Sequence, residues 1–438
     1  MEQIIRQKLA DSLELVIPDL IPRSSIYVPE IPNKAKAIVG MRRTGKTSYL
    51  FQKISEFLVA GTPRECLVYF SFEDERLADL GVQDLNLIIE NYYRRFPEFR
   101  GKQEVTFFFD EIQLVDGWEQ FVRRILDSEK VCIYLSGSSS KLLSREVATS
   151  MRGRAVEAIV YPFSFQETLQ FAEKPIPLDP ANLSSRQHNF LEKHLVEYLN
   201  IGGFPEAQGL APRNHRHLLQ GYVDIVLLRD IAERHQLTNL QAIRWLTRQL
   251  LANAGGPFSA NRFHRDLQSQ QIRSSVNGLL EIFSHLEDAF LVHGVPIEAG
   301  SERKRQVNPV KTYPIDPGLI HVFDRTGRGN LGHALENIIL IELLRRGADV
   351  TWVRTPKGYE VDFLARYPDG QSDLIQVAAD IQSPLTYERE IRALQDASPV
   401  HKDAKPYLIT LYRHPIEPSS DPMEITILPA HEWLLSNV

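Results

Sequence analysis

In the first third of the chain, apolar residues come in short unbroken runs bounded by turn residues, a pattern that reads as buried strands. Ala37-Ile38-Val39, Cys66–Phe72, Val105–Phe109 and Val131–Leu135 are such runs. Between them the apolar spacing changes to that of a helix. Ser48–Ile54 reads as one helix. Trp118–Ser128 reads as another, with Phe121, Val122, Ile125 and Leu126 on one face. Ser164 and Glu167 have capping-box spacing and start a further helix.

From about Leu237 to Arg325 the pattern is helical and then strand-like. Phe258-Ser259-Ala260-Asn261 begins a helix carrying Phe263 and Leu267, and a turn containing Ile272 follows. Ser274 opens a second helix with Val276, Leu279, Leu280, Phe283 and Leu286 on one face. Phe290–Val295 and Lys311–Ile315 read as two strands of a hairpin. Helix, turn, helix, hairpin is the order of a winged helix-turn-helix. The remainder reads as a helix over Leu335–Leu344, strands at Val350–Val353, Tyr359–Leu364 and Leu374–Ala378, and a helix over Glu388–Ala397.

Bulk properties narrow this picture only a little. A chain of 438 residues predicts two to four domains. Hydrophobic content of 43% and charged content of 24% are ordinary for globular proteins. A net charge of −6 leaves nucleic-acid binding to a local basic patch at most. Cys66 and Cys132 both lie in apolar runs, which argues for a reducing cytoplasm, and no Cys–His cluster has zinc spacing. Glu2, Arg6, Lys8 and Asp11 interrupt any signal-peptide core, and no apolar run is long enough to span a membrane.

The sharpest chemistry lies in Gly40-Met41-Arg42-Arg43-Thr44-Gly45-Lys46-Thr47, followed by Ser48. It fits G-x-x-x-x-G-K-[ST] and stands between an apolar strand and a helix, the context the motif requires. Its glycines let backbone N–H groups curl around a phosphate chain. Lys46 reaches the β- and γ-phosphates, and the Thr47 hydroxyl ligates Mg²⁺. The strand Val105–Phe109 ends in Asp110-Glu111. Asp110 is placed to hold the Mg²⁺ shell, and Glu111 to polarise the attacking water. Ser136 and Ser138, at the tip of the strand beginning at Val131, either sense the γ-phosphate or form a polar turn. Arg152 and Arg154 are candidates for an arginine finger acting on a neighbouring subunit, or for surface ion pairs.

Together with Phe109–Gln113, Ser136–Leu143, Arg152-Gly153-Arg154 and Tyr161–Phe165, the glycine loop resembles a family of bacterial and archaeal AAA-type ATPases fused to a C-terminal region of unknown function. The resemblance implies an α/β P-loop fold with a five-stranded parallel sheet and a helical lid, and a cytoplasmic location. The lid would include Gly202-Gly203-Phe204-Pro205-Glu206. It also supports the winged helix. The implied division is an ATPase core over 1–172, a lid over 173–236, a winged helix over 237–330 and a last domain over 331–438.

The winged helix would offer a nucleic acid Arg273, Ser274, Ser275, Asn277 and His285 on its second helix. Arg262 and Arg265 on the preceding helix, Arg303-Lys304-Arg305 at the hairpin tip and Lys311 would neutralise phosphates. The alternative is a winged helix packed on protein, with these charges solvated. The last domain resembles the restriction-endonuclease-like fold: Glu336 and Asp362 match its metal-binding carboxylates, and Gln376 its third ligand position. Its lysine position holds Ala378, and Lys357 could substitute only by a long reach. An inactive domain is therefore expected.

The sequence thus points to an oligomeric Mg²⁺-dependent ATPase that couples ATP binding and hydrolysis to DNA binding or remodelling. One alternative is a nucleotide-gated switch acting through a protein partner or as a transcriptional regulator. An active metal-dependent nuclease is disfavoured by Ala378. ATP is the default nucleotide because no guanine-binding set is present.

Overall fold

A computed structural model describes residues 1–137, 151, 153–301, 309–324, 330–414 and 425–436. These residues form two compact units, Met1–Val160 and Tyr161–Val438. The first contains helices α1 (Glu2–Leu13), α2 (Lys46–Val59), α3 (Asn86–Arg95) and α4 (Trp118–Ser128). Its strands are β1 (Ala35–Val39), β2 (Leu67–Ser71), β3 (Val105–Asp110), β4 (Val131–Gly137) and β5 (Ala155–Ile159). They make one sheet in the order β2-β3-β4-β1-β5, and every neighbouring pair is parallel.

A parallel sheet needs both faces covered, and its central strands are apolar for that reason. Every residue of β3 is buried, and Phe108 stacks on Tyr134 of β4 with ring centroids 5.0 Å apart. Tyr49, Leu50 and Ile54 of α2 pack with Ile38, Leu67 and Phe108. The apolar face of α4 is buried through Phe121, Val122, Ile125 and Leu126, as its spacing predicts. Because all the strands run one way, the residues that follow β1, β3 and β4 emerge at one edge.

The second unit begins with α5 (Phe165–Phe171), α6 (Ser185–Ile201) and α7 (Pro212–Ile225), which continues as a π-helical segment, Val226–Glu233. Then come α8 (Leu240–Ala252), β6 (Gly256–Phe258), α9 (Ala260–Ser269), α10 (Val276–Asp288), β7 (Val292–Val295) and β8 (Val310–Pro314). Strands β6-β8-β7 form an antiparallel sheet. Phe258, read above as the start of a helix, ends β6, and Ser259 caps the helix instead by accepting from Arg262 N. After α11 (Pro317–Phe323) and α12 (Leu331–Arg345) come β9 (Asp349–Arg354), β10 (Glu360–Arg366), β11 (Ser372–Ala378), α13 (Pro384–Ala397), β12 (Ala404–Thr410), β13 (Thr426–Pro429) and α14 (Ala430–Leu435). These strands form a mixed sheet in the order β13-β12-β11-β10-β9.

Two apolar clusters lie in this unit among the described residues, one of them built by Val361, Leu364, Leu374, Leu394 and Leu408, and the other reaching across most of its elements. The latter joins Phe165 and Leu169 of α5, Leu195 and Leu199 of α6, Tyr313 of β8, Leu335 and Ile339 of α12, and Trp433 of α14. Residue 172 therefore falls inside the second unit, and Ala254, Val295, Tyr313 and Ile320 of the segment 237–330 share this core with 331–438. The Ser164/Glu167 capping box is formed: Glu167 N donates to Ser164 Oγ at 3.1 Å, and Ser164 N to Glu167 Oε2 at 2.8 Å.

Candidate nucleotide-binding site

The loop between β1 and α2 has its shape because two positions exclude side chains. Gly40 has φ +146°, and a Cβ there would lie 2.4 Å from the Val160 carbonyl oxygen. Gly45 has φ +99° and precedes the first residue of α2, so the helix N-terminus faces the loop. Thr44 Oγ1 donates to Met41 O at 3.0 Å and closes the turn from within. The buried Lys46 ammonium spans the loop, donating to Gly40 O at 3.0 Å and Met41 O at 2.9 Å. Arg42 is half-buried, Arg43 is exposed with φ +69°, and Ser48 is exposed on the first turn of α2.

Asp110 at the end of β3 meets this loop. Thr47 Oγ1 lies 3.0 Å from Asp110 Oδ2, which also accepts from Tyr69 OH at 2.7 Å. Ser136 Oγ donates to Asp110 Oδ1 and accepts from Glu111 N at 3.2 Å. Burial, and then the Asp110 charge, raise the Tyr69 pKa far above the usual phenol range, so Tyr69 stays a donor. Glu111 itself has φ +57°, a strained conformation for a side chain of its size. It turns sharply off the strand and accepts from Gln113 Nε2. The hydroxyl and carboxylate that converge at Thr47 and Asp110 are hard oxygen donors, the set that Mg²⁺ prefers beside water and phosphate, so the residues present fit that ion.

One contributor carries no sequence motif. Arg23 is buried, and its guanidinium Nη1 donates to Thr44 O at 2.9 Å, while its backbone N donates to Gln52 Oε1 of α2 at 2.8 Å. It braces the loop from a segment before β1.

Arg154 is absent from this edge. Its carbonyl accepts from Ala35 N at 2.8 Å, which sets it at the start of β1, while the loop follows the end of that strand. A five-residue strand puts roughly 16 Å between the two. The Arg154 side chain is paired with Asp127. Ser138 and Arg152 lie outside the described residues.

Of the residues assigned to nucleic acid, Arg262, Arg265, Arg273, Ser275 and Asn277 are exposed. Ser274 is bound to His264 Nδ1 at 2.8 Å, and Ser275, rather than Ser274, caps α10. His285 is stacked on His235 with ring centroids 3.5 Å apart and faces inward. Arg303, Lys304 and Arg305 lie outside the described residues. Lys311 requires a correction. It is 7% exposed and turned toward the C-terminal sheet, where its Nζ lies 3.2 Å from Asp362 Oδ1. A lysine so buried and paired has no phosphate to meet. Lys357 pairs with Asp396 at 2.5 Å and does not approach Asp362.

The sheet order, the glycine loop and the Thr47–Asp110 contact define a P-loop protein of the AAA type. Residues 32–169 match the AAA domain family, and residues 192–329 match a domain of unknown function. The chain belongs to an AAA-type ATPase family with archaeal and bacterial members. It is 32% identical over 399 residues to the uncharacterized protein MJ1544 of Methanocaldococcus jannaschii, covering 90% of this chain and 85% of the relative. It is 31% identical over 348 residues to an uncharacterized protein of Haemophilus influenzae, covering 79% of this chain and 82% of the relative. Among solved structures it is similar to the Walker-type ATPase PABY2304 of Pyrococcus abyssi, with a TM-score of 0.39 and 14% identity over 74% of this chain and 95% of that one. The Aeropyrum pernix ORC1 protein in complex with DNA gives a TM-score of 0.27 and 17% identity over 74% of this chain and 90% of that one. Among the described residues no helix is long and apolar enough to cross a membrane.

Proposed function

We propose that the protein is a Mg²⁺-dependent ATPase that works as a homo-oligomer and couples its nucleotide cycle to DNA. The contact between Thr47 and Asp110 carries the first part of this reading, because it joins the phosphate loop to an acid at a single point. Lys46 would bind the β- and γ-phosphates, and the N–H groups of the loop would cradle them. Thr47 and Asp110 would hold Mg²⁺, which supplies charge neutralisation at the phosphates. Glu111 would orient and polarise the attacking water. Ser136 lies against both acids and would report changes at the γ-phosphate to β4.

The oligomer enters through Arg154. Far from its own loop, it could serve only a neighbour's nucleotide, and it would first have to leave Asp127. The pair is exposed, so its release costs little. DNA binding rests on the exposed residues Arg262, Arg265, Arg273 and Asn277, which would supply its binding face, and on the helix–turn–helix and hairpin order of a winged helix. The burial of Lys311 narrows this face, which favours the competing switch reading in one respect: fewer phosphates can be neutralised.

Steady-state ATP hydrolysis with and without single-stranded, duplex and branched DNA tests the proposal, with Lys46→Ala as control. Stimulation by one DNA form, lost in the control, supports the DNA-coupled ATPase. Slow hydrolysis indifferent to all DNA forms overturns the coupling and leaves a nucleotide-gated switch with a protein partner.

A further inference from the structure

Two carboxylates converge in the second unit, Glu336 from α12 and Asp362 from β10. In an endonuclease-like domain such a pair would hold a divalent cation, but the residues present do not fit one. Lys311 of β8 extends its ammonium into the space between them, 3.2 Å from Asp362 Oδ1 and 3.7 Å from Glu336 Oε1. A cation bound by the two acids would sit within about 2.0–2.6 Å of each, on the ground the ammonium already holds.

Two of the carboxylate oxygens hold hydrogen bonds as well. Glu336 Oε1 accepts from Tyr313 OH at 2.5 Å, and Asp362 Oδ2 accepts from Val377 N at 3.0 Å. Gln376 is turned away from metal ligation: its Oε1 accepts from Asp362 N at 3.3 Å, and its Nε2 donates to Glu390 at 2.8 Å. Gly255, with φ +73°, closes over Glu336 so tightly that a Cβ would lie 2.9 Å from Oε2. The Trp352 ring lies 5.7 Å from the Lys311 Nζ and adds a cation–π contact.

We propose that the Lys311 ammonium stands where a divalent cation would bind between Glu336 and Asp362, converting a metal site into an internal salt bridge that fastens β8 to the C-terminal sheet. The assignment is independent of the ATPase reading. It explains how this sheet keeps two acids together although Ala378 stands at its lysine position: the compensating cation comes from another strand.

The test is Mn²⁺ binding to the full-length, nucleotide-free protein, followed by electron paramagnetic resonance, in wild type, Asp362→Asn, Lys311→Ala and Lys311→Ala/Asp362→Asn. Asp110 is common to all four and cancels in the comparison. Wild type and Asp362→Asn should bind Mn²⁺ equally. Lys311→Ala should gain one ion per chain, lose it again in the double variant, and recover in Mn²⁺ part of a lowered thermal midpoint. An ion in wild type that Asp362→Asn abolishes overturns the proposal, and that comparison holds even if Lys311→Ala does not fold. A folded Lys311→Ala that gains no ion overturns it equally.

Discussion

Thr47 Oγ1 and Asp110 Oδ2 lie 3.0 Å apart, although they are 63 residues apart in the chain. Parallel packing of β1 and β3 in one sheet puts the end of one strand and the loop after the other at the same edge. The pair leads to a graded prediction. Thr47→Ser keeps a hydroxyl and should retain Mg²⁺-dependent ATP binding. Thr47→Ala removes it and should weaken that binding at least about tenfold, because the cation loses one of its oxygen ligands. Titration with a fluorescent ATP analogue, with and without Mg²⁺, gives the answer. Equal behaviour of the two variants would remove Thr47 from the metal shell.

Glu111 is held in a left-handed conformation and tied to Gln113, so its carboxylate is positioned before any substrate arrives. Glu111→Gln keeps the size and the backbone demands of the site. It should leave ATP affinity within about twofold and lower turnover by about 10²–10⁴-fold, the range for losing a general base. Binding and single-turnover hydrolysis measured on one preparation separate the two. Parallel loss of both would assign Glu111 a structural role instead.

How much of this could be read from residues alone depended on distance along the chain. The phosphate loop is local, and its glycines, lysine and threonine are in one octapeptide, so the site was visible at once. The α4 face was legible for the same reason, since helical spacing needs only neighbours. Lys311 was misread because a charged residue in a hairpin defaults to solvent. Its counter-charges Glu336 and Asp362 come from later elements, and no pattern within β8 announces them. Arg23 was invisible on the same ground. The resemblance places Gly202-Gly203 in a lid but does not give the reason for two glycines: Gly202, at φ +82°, lies against Asp316, and a Cβ on Gly203 would come 2.2 Å from the Phe163 carbonyl oxygen.

Arg154 starts at the wrong end of β1 for its own nucleotide, so its test must involve two chains. Arg154→Ala should lower steady-state hydrolysis by about 10³-fold or more if the residue is a finger. Lys46→Ala should also be inactive, because its own loop is empty of the phosphate-binding cation. Mixing the two inactive variants should restore part of the activity, since an intact Arg154 then faces an intact loop. Inactive mixtures under conditions where the oligomer exchanges subunits would exclude a finger acting between chains. Full activity of Arg154→Ala alone would leave only the pair with Asp127, which as an exposed contact contributes little to stability.

Asp316 is fully buried in the second unit and bonded through both oxygens, accepting from Gly203 N at 2.5 Å and Gly318 N at 2.9 Å. Burial pushes its pKa up from 3.8 to about 7, and the two backbone N–H donors oppose that rise. Tyr198 is the neighbouring titratable group, and burial holds it protonated. The sign follows from linkage. Between pH 4 and pH 7 the folded state binds the Asp316 proton more strongly than the unfolded state, so this group's contribution to stability is complete below pH 4 and declines as pH rises to about 7. Over that window the decline is about 3–4 kcal/mol, at 1.36 kcal/mol per pH unit. Asp316→Asn removes the titration but presents an amide N–H₂ to one of the two backbone donors, at a cost of about 1–3 kcal/mol. The variant should therefore be less stable than wild type near pH 4.5, and the gap should narrow or reverse by pH 8. Urea unfolding of both proteins across that range, followed by the second unit's tryptophan fluorescence, measures the difference directly. A gap that is constant with pH would mean that Asp316 keeps the same protonation state folded and unfolded, and that Gly203 and Gly318 are held by an ordinary carboxylate.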